Sequence, residues 1–261
     1  MREIIDLNGL WHFVPDLDPE YHASPEHAHV GWDRRHWPLV RVPACWSTYG
    51  ERYALYEGVA WFARSFVLPG WDAGSIGVLR FGAVNYEAQV FVNGEMAGEH
   101  RGGYTEFTLD VSHLLQPGEN LLVLRVDNRR NRVLLPACMG WFNDGGIHRD
   151  VTLEITQRGR IEWVGVSAVP EGTGAKGWLR VEWRACSGEP LSCRAAVRAP
   201  AGDVVWQEQV ALGPDAAGQV VVPFRLAQAQ AWSPASPALY EMEAVLVGAG
   251  GEALDRIRTR F

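Results

Sequence analysis

The chain has 261 residues, of which 47% are hydrophobic and 21% are charged, an ordinary balance for a globular protein long enough to form two β domains. Its net charge of −7 disfavours nucleic acid or an anionic membrane as a partner, and no apolar run is long enough to span a bilayer. The first ten residues lack the apolar core of a signal peptide, so we expect a cytoplasmic protein. None of the four cysteines forms a C-x-x-C pair, and no cofactor fingerprint occurs, so we expect neither zinc nor a cofactor.

The first part of the chain predicts short strands separated by glycine and proline turns. They include Leu10–Val14, an edge strand in Trp37–Trp46 broken by two prolines, and Trp61–Leu68. Trp11, Trp46 and Trp61 lie in these strands and are predicted to be structural. Residues 16–37 form a polar, irregular segment, and we expect its three histidines, His22, His27 and His29, to be solvated rather than bound to metal.

The stretch from Gln89 to Asp110 reads QVFVNGEMAGEHRGGYTEFTLD and predicts a hairpin followed by a further strand. Asn93-Gly94 favours a type I′ turn, which needs positive φ at both central residues. Before the turn, Val90 and Val92 alternate with other side chains, as in a strand with two different faces. Gly102-Gly103 then predicts a bend.

After a polar joint at residues 157–160, the apolar alternation begins again and predicts about seven strands, the number and size of an immunoglobulin-like sandwich. No long segment has the apolar period of a helix. We therefore predict an all-β protein, with a jelly-roll sandwich at residues 1–157 and an immunoglobulin-like sandwich at residues 158–261.

Several strings carry a family resemblance: VNGEMAGEHRGGYTEFTLDV, LLQPGENLLVLRVDN and NDGGIHRDVTLEI, with LNGLW, VPACW, WFAR and WSP around them in the same order. Together they resemble the N-terminal sugar-binding domain of glycoside hydrolase family 2, the family of β-galactosidases, β-glucuronidases and β-mannosidases. The resemblance implies the same two β domains and an exo-acting, retaining β-glycosidase that acts in carbohydrate metabolism.

In that family two glutamates on a (β/α)₈ barrel perform the hydrolysis. The sequence has no alternating strand and helix pattern for a barrel, so we expect no catalytic residue here and no activity from the chain alone. The resemblance then implies the non-catalytic N-terminal portion of a longer enzyme. Its partners would be the missing C-terminal barrel, a carbohydrate and, in a homo-oligomer, further copies of the chain.

The loop of residues 134–146, LLPACMGWFNDGG, is the part that the resemblance directs toward a substrate. Several family members hold the terminal sugar with an acidic residue seven positions before Ile147, where this chain has Gly140. Trp141, Asn143 and Asp144 remain as candidates, since indole stacks on sugar rings and amides or carboxylates bond their hydroxyls. His100, beside the double glycine, is a further candidate. The alternative is a loop fixed only by the packing of Trp141 and Phe142.

Two other functions remain open. Jelly rolls also serve as free-standing carbohydrate-binding modules, which predicts glycan affinity that depends on Trp141. A purely structural or interaction pair of domains would instead present an apolar docking patch.

Overall fold

The computed structural model describes residues 1–16, 25–72, 74–130, 142–186, 188–213 and 215–261. Its only helical segments in these ranges are the short 3-10 helices Pro25–Ala28, Trp46–Tyr49 and Glu51–Tyr53, which confirms the all-β prediction. The strands are Glu3–Asp6 (β1), Gly9–Pro15 (β2), Leu39–Val42 (β3), Ala44–Cys45 (β4), Val59–Leu68 (β5), Ser75–Phe81 (β6), Val84–Asn85 (β7), Glu87–Val92 (β8), Glu95–Arg101 (β9), Phe107–Asp110 (β10), Gly118–Asp127 (β11), Gly146–Ile147 (β12), Val151–Gln157 (β13), Gly159–Glu171 (β14), Gly174–Ala185 (β15), Ser192–Arg198 (β16), Val204–Ala211 (β17), Ala217–Leu226 (β18), Glu241–Val247 (β19) and Ala253–Arg260 (β20). No helix in the described ranges is long and apolar enough to cross a membrane.

The chain divides into two compact units. The larger unit consists of Ile4–Ala73 and Gly77–Ile155, and the smaller unit of Met1–Glu3, Gly74–Ile76 and Thr156–Phe261.

The larger unit is built on a six-stranded sheet, in the order β3-β2-β5-β11-β8-β9, and a four-stranded sheet, in the order β1-β13-β6-β10. Apolar side chains from the inner faces of both sheets form one core. Phe62 and Leu122 come from the six-stranded sheet, while Leu79, Phe81 and Val151 come from the four-stranded sheet. This arrangement is the predicted jelly-roll type of sandwich.

The predicted hairpin is present and joins β8 to β9. Val92 pairs with Glu95, so Asn93 and Gly94 form a two-residue loop, with φ of 52° and 91°. The type I′ prediction is confirmed. On β8, Val90 and Val92 are completely buried, as the alternation predicted.

The outer face of the six-stranded sheet carries a second apolar cluster. Trp61 and Val123 of that sheet pack with Trp37 from the irregular segment before β3. His27 is 3% exposed, and its ring centre lies 5.2 Å from that of Trp61 and 4.6 Å from that of Trp32. The prediction that His27 is solvated was therefore wrong, because the segment folds over the sheet instead of extending into water. His29 is exposed, as predicted, and His22 lies outside the described residues.

Arg34 ties the covering segment into a compact loop. Its guanidinium donates hydrogen bonds to the carbonyl oxygens of His27 at 2.6 Å, His29 at 2.8 Å and Trp32 at 3.1 Å. A single side chain thus satisfies three backbone acceptors in a segment without regular structure. Partial burial lowers the pKa of this guanidinium, which still remains charged at neutral pH.

The smaller unit contains a three-stranded sheet, β14-β15-β18, and a four-stranded sheet, β17-β16-β19-β20, around one core. Leu179 and Phe224 of the first sheet face Val197 and Met242 of the second. These seven strands form the predicted immunoglobulin-like sandwich. Neither Cys186 nor Cys193 is part of a disulfide, and Cys138 lies outside the described residues.

Candidate functional site

The candidate loop leaves the end of β11 and returns at β12. Residues 128–130 and 142–145 at its two ends are described. Residues 131–141 lie outside the described ranges, so the Trp141 candidate and the Gly140 departure both fall there. The base of the loop is formed by Asn128 together with residues 143–146, which we call the loop root.

Two glycines fix the returning end of the loop. Gly146 has φ of 133°, and a Cβ there would lie 2.7 Å from the carbonyl oxygen of Ala44. A Cβ on Gly145 would lie 2.1 Å from the ring of Trp46. Gly146 pairs with both Cys45 of β4 and Asn85 of β7. Only glycine allows the chain to pass this closely between the ring and the neighbouring strands.

Three buried asparagines hold the two ends of the loop together. Asn128 donates from Nδ2 to the carbonyl oxygen of Asn143 at 2.5 Å, and Asn143 donates from Nδ2 to the carbonyl oxygen of Asn128. Asn85 donates from Nδ2 to Oδ1 of Asn143 at 2.9 Å and to the carbonyl oxygen of Asp144 at 2.5 Å. Asn128 also accepts a hydrogen bond from the backbone N–H of Gly58 at 2.8 Å. The exposed fractions of the three side chains are 0–5%, so these bonds satisfy groups that water does not reach.

Asn143 thus uses both ends of its amide inside the protein. As a sugar ligand it stays a prediction, and in this structure it positions the loop. Its neighbour Phe142 is 69% exposed.

Asp144 is half-buried, and its charge acts on the pKa values of Cys45, Tyr104 and His148. Burial raises the pKa of Cys45, and the charge of this carboxylate raises it further. Both effects also raise the pKa of Tyr104. Burial lowers the pKa of His148, whose ring centre lies 5.9 Å from that of Tyr104. A carboxylate therefore lies at the loop root, with a phenol, a thiol and an imidazole of lowered pKa beside it. These groups can donate to and accept from sugar hydroxyls.

His100 lies on the other side of the double glycine. Its Nε2 is 3.2 Å from Oγ1 of Thr105, and its ring stacks on Phe107 with centres 4.2 Å apart. Burial lowers its pKa. A Cβ on Gly102 would lie 3.3 Å from Nε2 of His100, and a Cβ on Gly103 would lie 2.3 Å from Oδ1 of Asn85. The double glycine thus separates His100 from the asparagine network, and His100 as a ligand stays a prediction.

Residues that the sequence did not single out complete the loop root. Asn128, Cys45 and His148 lie in strings that carry the family resemblance, and Asn85 lies outside them, but nothing local marks any of the four as a partner. Among the described residues, no group of three or more His, Cys, Asp or Glu side chains is arranged to hold a metal ion.

Known proteins are similar to this chain along nearly its whole length. The model of the sugar binding domain of glycosyl hydrolases family 2 matches residues 4–157, and a second model of that family matches residues 160–261. A β-glucuronidase from Paenibacillus borealis is 27% identical over 97% of this chain and 44% of its own length. A β-galactosidase from Thermoanaerobacter pseudethanolicus is 30% identical over 59% of this chain and 21% of its own length.

Solved structures show the same fold. A β-glucuronidase from Bacteroides uniformis superimposes with a TM-score of 0.87 at 23% identity, over 100% of this chain and 32% of that one. A β-glucuronidase from Bifidobacterium dentium gives a TM-score of 0.85 at 24% identity, over 100% of this chain and 48% of that one. The chain therefore spans less than half the length of these relatives. Because both family models match in order along nearly its whole length, the chain belongs to glycosyl hydrolases family 2.

Proposed function

We propose that the two units are the non-catalytic N-terminal domains of an exo-acting, retaining β-glycosidase of the β-glucuronidase and β-galactosidase type. In this role they brace a catalytic barrel and shape the mouth of its active site. The observation that carries the proposal is the loop root, where buried asparagines fix both ends of a long loop. The relatives' names support the substrate class, a β-glycoside, and the sugar itself is left to experiment.

The asparagine network explains how such a loop acts on a site beyond this chain. The bonds between Asn128 and Asn143 close the loop at its base, and Asn85 attaches that base to β7. These bonds hold the base of the loop in a fixed place on the larger unit. Asp144, Tyr104 and His148 at the root then supply polar groups in a fixed arrangement.

Two glutamates of the larger unit, Glu57 and Glu106, are held in ion pairs. Retaining hydrolysis needs two carboxyl groups close together on either side of the scissile bond. Glu57 instead pairs with Arg130, with Oε1 and Nε 2.7 Å apart, and Glu106 pairs with Arg80. Ion-paired surface carboxylates of this kind are poor candidates for an acid and a nucleophile.

A domain exchange tests the proposal. The region of the Paenibacillus borealis β-glucuronidase that aligns with this chain is replaced by residues 1–261, and turnover of 4-nitrophenyl β-glucuronide and β-galactoside is measured. We expect the isolated chain to be inactive and the hybrid to hydrolyse at least one substrate. The control is the parent enzyme carrying only the junction changes.

Two outcomes would contradict the proposal. One is turnover by the isolated chain at a rate comparable to that of the parent. The other is a hybrid that melts cooperatively and is inactive while the junction control is active. The proposed homo-oligomer is tested separately, by light scattering on the hybrid.

A further inference from the structure

The outer face of the three-stranded sheet β14-β15-β18 carries exposed tryptophans. Leu179 and Phe224 point into the core of the smaller unit, so the alternate residues of β15 and β18 point outward. On this outer face Trp163 is 47% exposed and Trp178 is 44% exposed. Buried aromatic residues stabilise a sandwich, whereas these two indoles leave much of their area in water.

A glycine holds the ring of Trp163 against the sheet. A Cβ on Gly165 would lie 2.0 Å from the Trp163 ring, so the indole occupies the space where that side chain would be. Gly165 pairs with Arg180 of β15, and the Arg180 guanidinium lies 5.7 Å from the centre of the Trp163 ring. The ring is thus supported by backbone on the sheet side and remains accessible from solvent.

The strand register brings the second indole close to the first. Trp178 pairs with Ser167, two residues beyond Gly165 on the same face of β14. Two residues span about 7 Å along a strand, and Trp163 already extends over Gly165 toward this position. Two indoles therefore follow one another along the same face of the sheet.

We call this outer face, with Trp163 and Trp178, the tryptophan face. A hollow and several ion pairs border it. The hollow has a volume of about 540 Å³ and is lined in part by Trp178, Lys176 and Arg225. Arg180 pairs with Glu182 at 2.9 Å, and Lys176 pairs with Glu171 at 2.9 Å. The face thus offers hydrogen-bond donors and acceptors next to the two rings.

The mixture of indoles and charged side chains on the tryptophan face indicates which class of ligand it would bind. The centres of protein interfaces are depleted of Lys, Glu and Asp, whereas here such residues alternate with the indoles. A sugar has apolar ring faces and hydroxyl groups at its edges, which match the rings and the ion pairs respectively. We propose that the tryptophan face of the smaller unit binds a β-linked oligosaccharide of at least two pyranose rings.

Titration calorimetry on the whole 261-residue chain tests the site, with cellotetraose, xylotetraose and β-1,4-galactotetraose as probes. We expect at least one probe to bind with a millimolar or lower dissociation constant. Trp163→Ala and Trp178→Ala should each weaken that binding by about tenfold. Trp232→Ala is the matched control, since Trp232 is 58% exposed but lies outside the tryptophan face, and it should bind as the unmodified chain does.

Gly165→Ala provides a second variant that keeps both indoles. The added methyl must displace the outer end of the Trp163 ring, so binding should weaken although no aromatic residue is lost. The proposal is overturned if no probe binds at millimolar concentration, or if binding persists in both tryptophan variants. The domain-exchange experiment measures hydrolysis by another chain's catalytic residues, so its result does not depend on this binding.

Discussion

Both units contain a sheet with tryptophan on its outer face, but among the described residues only the larger unit covers that tryptophan with a further segment of the chain. In the larger unit the segment before β3 lies over the six-stranded sheet, and Trp61 there is 2% exposed. In the smaller unit Trp163 and Trp178 remain 47% and 44% exposed on the corresponding face. An outward tryptophan therefore has one of two roles: part of a second core where another segment of the chain covers it, or part of an exposed surface where none does. Stability measurements can separate these two roles.

Removal of a covered tryptophan should have the largest effect. Trp61→Ala deletes a side chain packed against His27 and Phe91, and we expect the larger unit to lose about 3–5 kcal/mol of unfolding free energy. Trp178→Ala is the control from the exposed face, where 44% of the side chain is already in water, and it should cost less than half as much as Trp61→Ala. Urea denaturation followed by circular dichroism measures both. Equal losses of unfolding free energy would show that the covered and the exposed tryptophan contribute equally to stability.

Removal of a buried polar side chain should cause the second-largest loss of stability. Asn128→Ala leaves the N–H of Gly58 and the carbonyl oxygen of Asn143 without their partner in a site that water does not reach. We expect a loss of about 1–3 kcal/mol in the same denaturation experiment. Phe142→Ala, at an exposed position in the same loop, should leave the midpoint unchanged. A loss for the phenylalanine variant as large as that for Asn128→Ala would contradict a network held by hydrogen bonds.

The covering segment can also be loosened without touching an aromatic residue. Arg34→Ala removes the donor to three carbonyl oxygens, and we expect a loss of about 1–2 kcal/mol together with greater exposure of Trp61. Quenching of tryptophan fluorescence by iodide reports that exposure. The neighbouring Arg35 pairs with Asp33 in solvent, so Arg35→Ala should change neither quantity. If Arg35→Ala matched Arg34→Ala, the carbonyl contacts would not be the cause.

Local chemistry explains which parts of the fold were predictable. The Asn93-Gly94 turn depends on two adjacent residues, and its type followed from their identities alone. The burial of His27 depends instead on Trp61 and Trp37, which approach it only after the segment has folded over the sheet. A histidine among prolines and polar residues gives no sign of that contact, so the sequence predicted a solvated side chain.

The same distinction applies to the site. Family resemblance directed attention to Asn143 and Asp144, while Asn85 and Asn128 were missed. The bond from Asn85 to Asn143 joins residues 58 positions apart, and the bonds between Asn128 and Asn143 join residues 15 positions apart. No local pattern marks an asparagine as the partner of a distant one. Side-chain hydrogen bonds between strands become visible only with the tertiary structure.

The smallest expected effect concerns the protonation of a partly covered histidine. Burial lowers the pKa of His148, although the backbone of Gly145 and Asp144 and the Asp144 carboxylate act in the opposite direction, and Arg149 lowers it further. Its Nε2 is buried and has no hydrogen-bond partner among the described residues. The folded chain therefore prefers the neutral imidazole more strongly than the unfolded chain does.

The sign of the resulting pH dependence follows from this preference. The stabilisation is complete above the ordinary histidine pKa of about 6.5 and is lost as the pH falls through the lower pKa of the folded state. NMR titration of the His148 ring should give a pKa below that measured in urea. His148→Gln should lose less stability than the unmodified chain between neutral and acidic pH, and this difference isolates His148 from His100. A folded-state pKa at or above the unfolded value would show that the Asp144 carboxylate outweighs burial at the loop root.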